Sequence, residues 1–140
     1  MSDVATPEQL AAAIDGKTDE QINQAITEMG VDATLDRIFE GMTQRFLPEK
    51  AAGQSALVQW DIRVADGVRT YQVNFADGKC SPSRGANAAD PRVTLDLALP
   101  DFLRVITGKL AGPQAFFTGK LKLKGDMMFA QVQQQWFKMA

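Results

Sequence analysis

Histidine is absent from this sequence, and Cys80 is its only cysteine. The commonest general base and metal ligand is therefore missing, no intramolecular disulfide can form, and a thiolate metal site is short of ligands. Cys80 sits near a turn without a histidine to activate it, so we expect it to be incidental. Asp61 and Asp96 are the arrangement closest to an acid/base pair, because both fall on segments that alternate like strands. Each lies in the polar, outward register of its segment, which predicts solvated carboxylates. The chain has no phosphate-cradling glycine loop and no nucleophile elbow. These residues argue against an enzyme, with no catalytic residue, no cofactor and no metal expected.

What remains is apolar chemistry. Phe39, Met42 and Phe46 share one helical stripe that suits either core packing or the wall of a ligand tunnel. Phe116, Phe117, Met127, Met128 and Phe129 crowd a turn and a helix start, again as tunnel lining or as core. Methionine adapts to irregular apolar partners, which suits a permissive site. Gln131, Gln134 and Gln135 lie on the last predicted helix, where an inward glutamine can hydrogen-bond a ligand carboxyl or hydroxyl and an outward one is merely solvated. Lys120, Lys122 and Lys124 suit an acidic lipid surface or a CoA phosphate, or form the wet side of an amphipathic strand.

The chain that must position these groups has 140 residues, enough for one compact domain with one core. Its 45% apolar and 23% charged residues are those of an ordinary globular protein, and no stretch approaches the roughly 20 apolar residues of a membrane span. A formal charge of −2 leaves no positive surplus for a phosphate backbone, so nucleic acid is not an expected partner. The start Met1-Ser2-Asp3-Val4-Ala5-Thr6-Pro7 reads as neither a secretory signal nor a basic transit peptide, and a cytoplasmic location is expected.

The first fifty residues read as helices. Thr6-Pro7-Glu8-Gln9 starts one that runs to about Ile14, and Thr18-Asp19-Glu20-Gln21 starts a second carrying Ile22, Ile26 and Met29 and ending at Gly30. Asp32 caps a third, with Leu35, Ile38, Phe39, Met42 and Phe46 on one face, which Pro48 ends. From Ala56 the period changes to two: Ala56, Val58, Trp60, Ile62 and Val64 point one way. Turns at Asp66-Gly67 and Asp77-Gly78 join this strand to those around Tyr71-Val73-Phe75 and Lys79 to Arg84, as an antiparallel meander. Gly85 to Pro91 connects to a strand through Val93, Leu95, Leu97 and Leu99. Two short helices follow, one with Phe102 and Ile106 and one with Phe116 and Phe117. Lys120 to Lys124 alternates as a strand with leucines inward, and Gly125-Asp126 opens a final helix with Met128, Val132 and Trp136 on one side.

The run Phe116-Phe117-Thr118-Gly119-Lys120-Leu121-Lys122-Leu123-Lys124-Gly125-Asp126-Met127-Met128 resembles the sterol-carrier-protein-2 (SCP2) domain, whose hallmark is a phenylalanine-rich turn, a G-K/R-hydrophobic-K strand and G-N/D before the last helix. The resemblance covers roughly residues 32 to 140. It implies an α+β fold with a five-stranded, largely antiparallel β-sheet covered by helices, preceded by additional N-terminal helices over residues 1–31. Those first residues resemble a leader on some bacterial stand-alone members. Unlike peroxisomal members, the chain ends Phe137-Lys138-Met139-Ala140, without a Ser-Lys-Leu-type address, so peroxisomal import is not expected.

By resemblance the protein binds and carries an apolar lipid, such as a fatty acid, an acyl-CoA or a sterol-like molecule, in an internal hydrophobic tunnel without turning it over. Motif positions and inward register together nominate Phe39, Met42 and Phe46 on the third helix, Trp60 on the first strand, and Phe102, Ile106, Phe116 and Phe117 on the short helices. On the last helix they nominate Met128, Gln131, Val132, Gln134 and Trp136. Transient contact with a membrane surface or a lipid-metabolising enzyme fits this role. Two rival readings are an accessory domain that presents lipid substrates to a partner enzyme, and an interaction module whose cavity is filled by its own side chains.

Overall fold

The computed structural model of the protein describes residues 7–85 and 90–137. The Thr6 cap, most of the Gly85–Pro91 connector and the last three residues fall outside them, as does the Gln134 side chain.

Five strands form one mixed sheet: β1 (Ala56–Val64), β2 (Gly67–Ala76), β3 (Lys79–Arg84), β4 (Val93–Ala98) and β5 (Leu121–Gly125), in the order β3-β2-β1-β4-β5. Neighbours are antiparallel except β1 and β4, which run parallel with Trp60 opposite Leu95. The period-two pattern explains the faces. Val58, Trp60 and Ile62, Tyr71, Val73 and Phe75, and Val93, Leu95 and Leu97 are all buried on one side. The Asp77-Gly78 turn is two residues long with both φ positive, 54° and 70°, the backbone that favours a tightly twisted hairpin. The first hairpin turns one residue earlier than its Asp-Gly dipeptide suggests. Val64 pairs with Gly67, so Ala65 and Asp66 make the turn and Asp66 instead accepts from Arg69 Nη2 at 3.2 Å.

Helices cover the apolar face. Helix α1 (Pro7–Ile14) and α2 (Asp19–Met29) precede α3 (Val31–Arg45). A full capping box at Thr18 and Gln21 starts α2. Gly30, at φ 97°, serves both as the end of α2 and as the start of α3, so Asp32 falls inside the first turn of α3 rather than capping it. Pro48 ends α3 as expected but also begins a four-residue helix, α4 (Pro48–Ala51), because a proline tolerates a first turn better than a loop reading allows for. Helices α5 (Leu99–Ile106), α6 (Gly112–Phe117) and α7 (Met127–Gln134) complete the cover.

The N-terminal pair shares the same core. Leu10, Ile14, Ile22 and Ile26 are buried with the sheet residues in one cluster. Arg104 on α5 reaches Asp19 at 2.6 Å and the buried Asp101 at 3.0 Å, and Lys109 reaches Asp15 at 3.0 Å. No helix among the described residues is long and apolar enough to cross a membrane.

Between β5 and α7 the chain passes through a tight corner. Gly125 has φ 108°, and a Cβ there would lie 2.5 Å from the carbonyl oxygen of Arg92. The following Asp126 donates its amide to that same oxygen at 3.0 Å, and its carboxylate caps α7 through the Phe129 amide at 2.9 Å. Arg92 closes the corner, pairing with Asp126 at 3.1 Å and lying 4.2 Å over the Phe129 ring. Gly125→Ala is therefore expected to destabilise the protein by roughly 3 kcal/mol, read as a lowered urea midpoint, because both backbone strain and a backbone clash oppose it.

Candidate functional site

The interior is built from rings. Phe39 of α3 stacks on Tyr71 of β2 with centroids 4.3 Å apart and planes 11° from parallel. It lies 5.6 Å from Phe102 of α5 and 6.3 Å, edge-on, from Trp60 of β1, and Trp60 meets Phe102 at 5.4 Å. A second group forms where the chain ends: Phe75 lies 5.0 Å from Trp136 and 5.5 Å from Phe46, and Phe129 lies 5.3 Å from Trp136. Of the residues nominated from the sequence, Phe39, Trp60 and Phe102 thus meet in one group and Phe46 and Trp136 in the other. Met42, Ile106 and Phe116 are partly buried against the same core.

Helix α7 turns differently from its sequence reading. Spacing alone places Met128, Val132 and Trp136 on one inward side; the structure buries Phe129, Ala130 and Gln133 instead. The Asp126 cap and the Arg92 cation over the Phe129 ring set the phase of the first turn. Met128 and Val132, four residues apart, consequently share the outer side, and Gln131 is also exposed. Trp136 reaches the interior because the helix has already ended at Gln134. Its carbonyl accepts from the Leu47 amide at 2.6 Å, and Phe137 forms a bridge with Phe46. Phe117 stands 84% exposed although its neighbour Phe116 is partly buried.

Four residues at the site were not nominated from the sequence. Tyr71 and Phe75 carry the inward register of their strand, and Phe129 belongs to the Phe and Met cluster that suits either tunnel lining or core. Gln133 is buried and donates to the Ala130 carbonyl at 3.3 Å, and finding it would have required the correct phase of α7.

The ring array borders a surface cleft, although Phe39 and Tyr71 themselves are buried. A recess of about 400 Å³ between α3 and the β2–β3 hairpin is lined by Asp36, Phe39, Glu40, Thr43, Tyr71, Pro82, Ser83 and Arg84. Its polar rim is tied together by Asp36, which accepts from Tyr71 Oη at 2.6 Å and from Arg84 Nε at 2.8 Å, with a second Arg84 nitrogen on its other oxygen. The Arg84 hydrogen bond holds the Asp36 carboxyl below its ordinary value, against an opposing desolvation. Burial, followed by the bond to Asp36, pushes the Tyr71 hydroxyl up, so it stays protonated as a donor. At the far side of the β2–β3 hairpin, burial pushes the Cys80 thiol up to about 12, which leaves almost no thiolate at neutral pH.

The opposite sheet face is polar. Asp61 and Asp96 are direct partners in the β1–β4 register and both point outward. Asp61 accepts from Thr70 Oγ1 at 2.9 Å and Gln59 Nε2 at 3.2 Å, while Gln72 Nε2 donates to Gln59 at 2.9 Å. Asp96 is paired with Arg63. Both carboxylates serve the sheet surface, and no group of His, Cys, Asp and Glu among the described residues could hold a metal ion.

A mixed sheet with one polar face, and a ring-lined interior roofed by helices on the other, defines an α+β domain built around apolar contents. Residues 35–138 match the SCP-2 sterol transfer family, and the chain belongs to that family. It is 33% identical over 70 residues to peroxisomal multifunctional enzyme A of Dictyostelium discoideum, a stretch that is 50% of this chain and 16% of that enzyme. It is 28% identical over 94 residues to non-specific lipid-transfer protein-like 1 of Caenorhabditis elegans, which is 66% of this chain and 80% of that protein. The crystal structure of sterol carrier protein 2 like 2 from Aedes aegypti superposes with a TM-score of 0.60 at 23% identity, over 76% of this chain and 97% of that one, a likeness of fold. The chain therefore spans a small part of the multifunctional enzyme and most of the stand-alone proteins.

Because the folded-state value of Asp36 lies below its unfolded one, its bonds stabilise the protein above the ordinary carboxylate range and are lost as pH falls through the lowered value. Asp36→Asn is expected to lower the urea midpoint at pH 7. The gap from wild type should shrink on acidification below the ordinary carboxylate range, as the wild-type carboxyl too becomes protonated on passing through its lowered value.

Proposed function

We propose that the protein is a non-enzymatic carrier that shelters an apolar lipid, such as a fatty acid, an acyl ester or a sterol-like molecule, between the sheet and α3, α5 and α7. The observation that carries this reading is the continuous ring array from Tyr71 at the cleft, through Phe39, to Trp60 and Phe102 under α5. These rings touch each other directly, so a ligand enters by displacing them. The segment from Phe102 to Phe117 and the terminal helix act as the movable cover. Family membership supports the same reading. No bond is made or broken in this cycle. Burying about fifteen methylenes at roughly 0.8 kcal/mol each supplies on the order of 10 kcal/mol before ordering and association costs, enough for micromolar binding.

Two observations favour other readings. The short ring-to-ring distances suit a module whose interior is filled by its own side chains. The small share of the multifunctional enzyme that this chain matches suits a domain that presents substrates to a catalytic partner.

Native mass spectrometry of the purified protein, followed by organic extraction, separates the first two. A lipid at near one equivalent is the expected result. An empty protein that also fails to take up a fluorescent fatty acid would sink the carrier reading in favour of the filled module. For the third, a purified lipid-metabolising enzyme at saturating substrate should keep its rate when the protein is added; a raised rate would favour presentation.

A further inference from the structure

Helices α1 and α2 precede the segment that the family match covers, and they pack mainly against α5 and α3. Helix α5 carries Phe102, whose ring meets those of Phe39 and Trp60. The N-terminal pair is thus seated on the helix that covers the ring array.

Three features set this contact apart from the rest of the core. The first is two ion pairs at its rim. Asp15, in the turn between α1 and α2, accepts from Lys109 Nζ at 3.0 Å, and Asp19, at the start of α2, pairs with Arg104 at 2.6 Å. The Asp15 and Asp19 side chains are 76% and 63% exposed, so water and salt ions replace their partners readily when the contact parts. Arg104 also holds the buried Asp101 at 3.0 Å. Departure of Asp19 therefore leaves no buried charge uncompensated, the event that makes breaking an ion pair costly.

The second feature is Asn23. Its side-chain oxygen is the one buried side-chain nitrogen or oxygen among the described residues without a hydrogen-bond partner. It stands one helical turn beyond Asp19, on the side of α2 from which Asp19 reaches Arg104. An acceptor sealed from water penalises the closed state and regains its hydration when α2 lifts.

The third feature is the joint with α3. Gly30, at φ 97°, is the single residue between α2 and α3, and a Cβ placed there would meet only the Ala33 Cβ, at 3.8 Å. A glycine with free space around it absorbs the backbone rotation that swings one helix relative to the next. Leu10, Ile14, Ile22 and Ile26 hold the pair down, and they are a small part of the core cluster, so releasing them stands well below global unfolding in cost.

We propose that α1 and α2 form a strap that pins α5 over the ring array and opens about Gly30 ahead of the rest of the fold, freeing α5 to move. The Asp15 and Asp19 ion pairs are its latch, and the unsatisfied Asn23 oxygen keeps it releasable. The strap rests on the proposed function for its purpose, the admission of a lipid, but not for its motion.

The test is hydrogen exchange of the full-length protein, read by mass spectrometry of peptides from each element at low and high salt. In wild type, α1 and α2 are expected to exchange faster than β1 and β4, and faster again at high salt, while the strands keep their rates. Asp15→Asn with Asp19→Asn should speed exchange in α1, α2 and α5 roughly threefold to tenfold at low salt and remove most of the salt effect. Asp15→Lys should loosen the strap, and adding Lys109→Asp should restore it. Asn23→Leu should act in the opposite direction, slowing exchange in α2 and α5, because it removes the unsatisfied acceptor. Helices α1 and α2 that exchange only together with the strands in every variant would overturn the proposal. So would an Asn23→Leu strap that opens faster than wild type, or latch variants that speed α1 and α2 and leave α5 unchanged.

Stopped-flow uptake of a fluorescent fatty acid keeps the two readings apart. Latch variants are expected to take up and release the probe faster, with little change in equilibrium affinity. Uptake at the wild-type rate through a loosened strap overturns its purpose as a gate. Exchange that follows the expected pattern in a protein that takes up no lipid overturns carriage alone.

Discussion

The Phe39 ring is held by three partners from three different elements, Tyr71 on β2, Trp60 on β1 and Phe102 on α5. Its own position is set by α3, which crosses the apolar face of the sheet and keeps the ring 1% exposed. Remove that contact and the sheet loses the hub that joins its middle strands to two covering helices. The same ring forms the floor of the cleft beside Asp36.

The charged groups fasten the helices rather than perform chemistry. Asp36 ties α3 to Tyr71 and Arg84, Asp19 ties α2 to Arg104, and Arg92 with Asp126 fixes the start of α7. Each joins a covering helix to a strand or to another helix across the rim of the core. Half-exposed pairs of this kind add little to stability singly. Their value is geometric, since they choose one orientation for helices whose apolar faces alone would tolerate several. The N-terminal helices illustrate the point: they precede the segment matched by the family, yet they share its core through Leu10, Ile14, Ile22 and Ile26, and their orientation on α5 is marked by the Asp15 and Asp19 ion pairs.

Most of the fold was legible in the chain. The period-two runs named four of the strands and their inward faces, because alternation leaves no freedom once one face is apolar, while the strand Lys79–Arg84 was marked by the Asp77-Gly78 turn. Capping residues and prolines named the helices. Misreadings fell where one residue can serve two neighbours: Gly30 between two helices, Pro48 ending one helix and beginning another, and the Ala65-Asp66-Gly67 stretch, in which a shift of one residue changes which pair makes the turn.

The sequence by itself determined that the protein would have one apolar sheet face under amphipathic helices, and that histidine-based and paired-cysteine chemistry was absent, because composition and periodicity are properties of the chain alone. Only the tertiary structure decided which residues of the last helix are inside. Phe129 and Gln133 are buried and Met128 and Val132 are not, a difference of one residue in the phase of a short helix. A helix of eight residues has too few turns for its own pattern to fix that phase. The Asp126 cap, the Arg92 cation on the Phe129 ring and the bond from the Leu47 amide to the Trp136 carbonyl do so, and all but the cap come from parts of the chain distant in sequence.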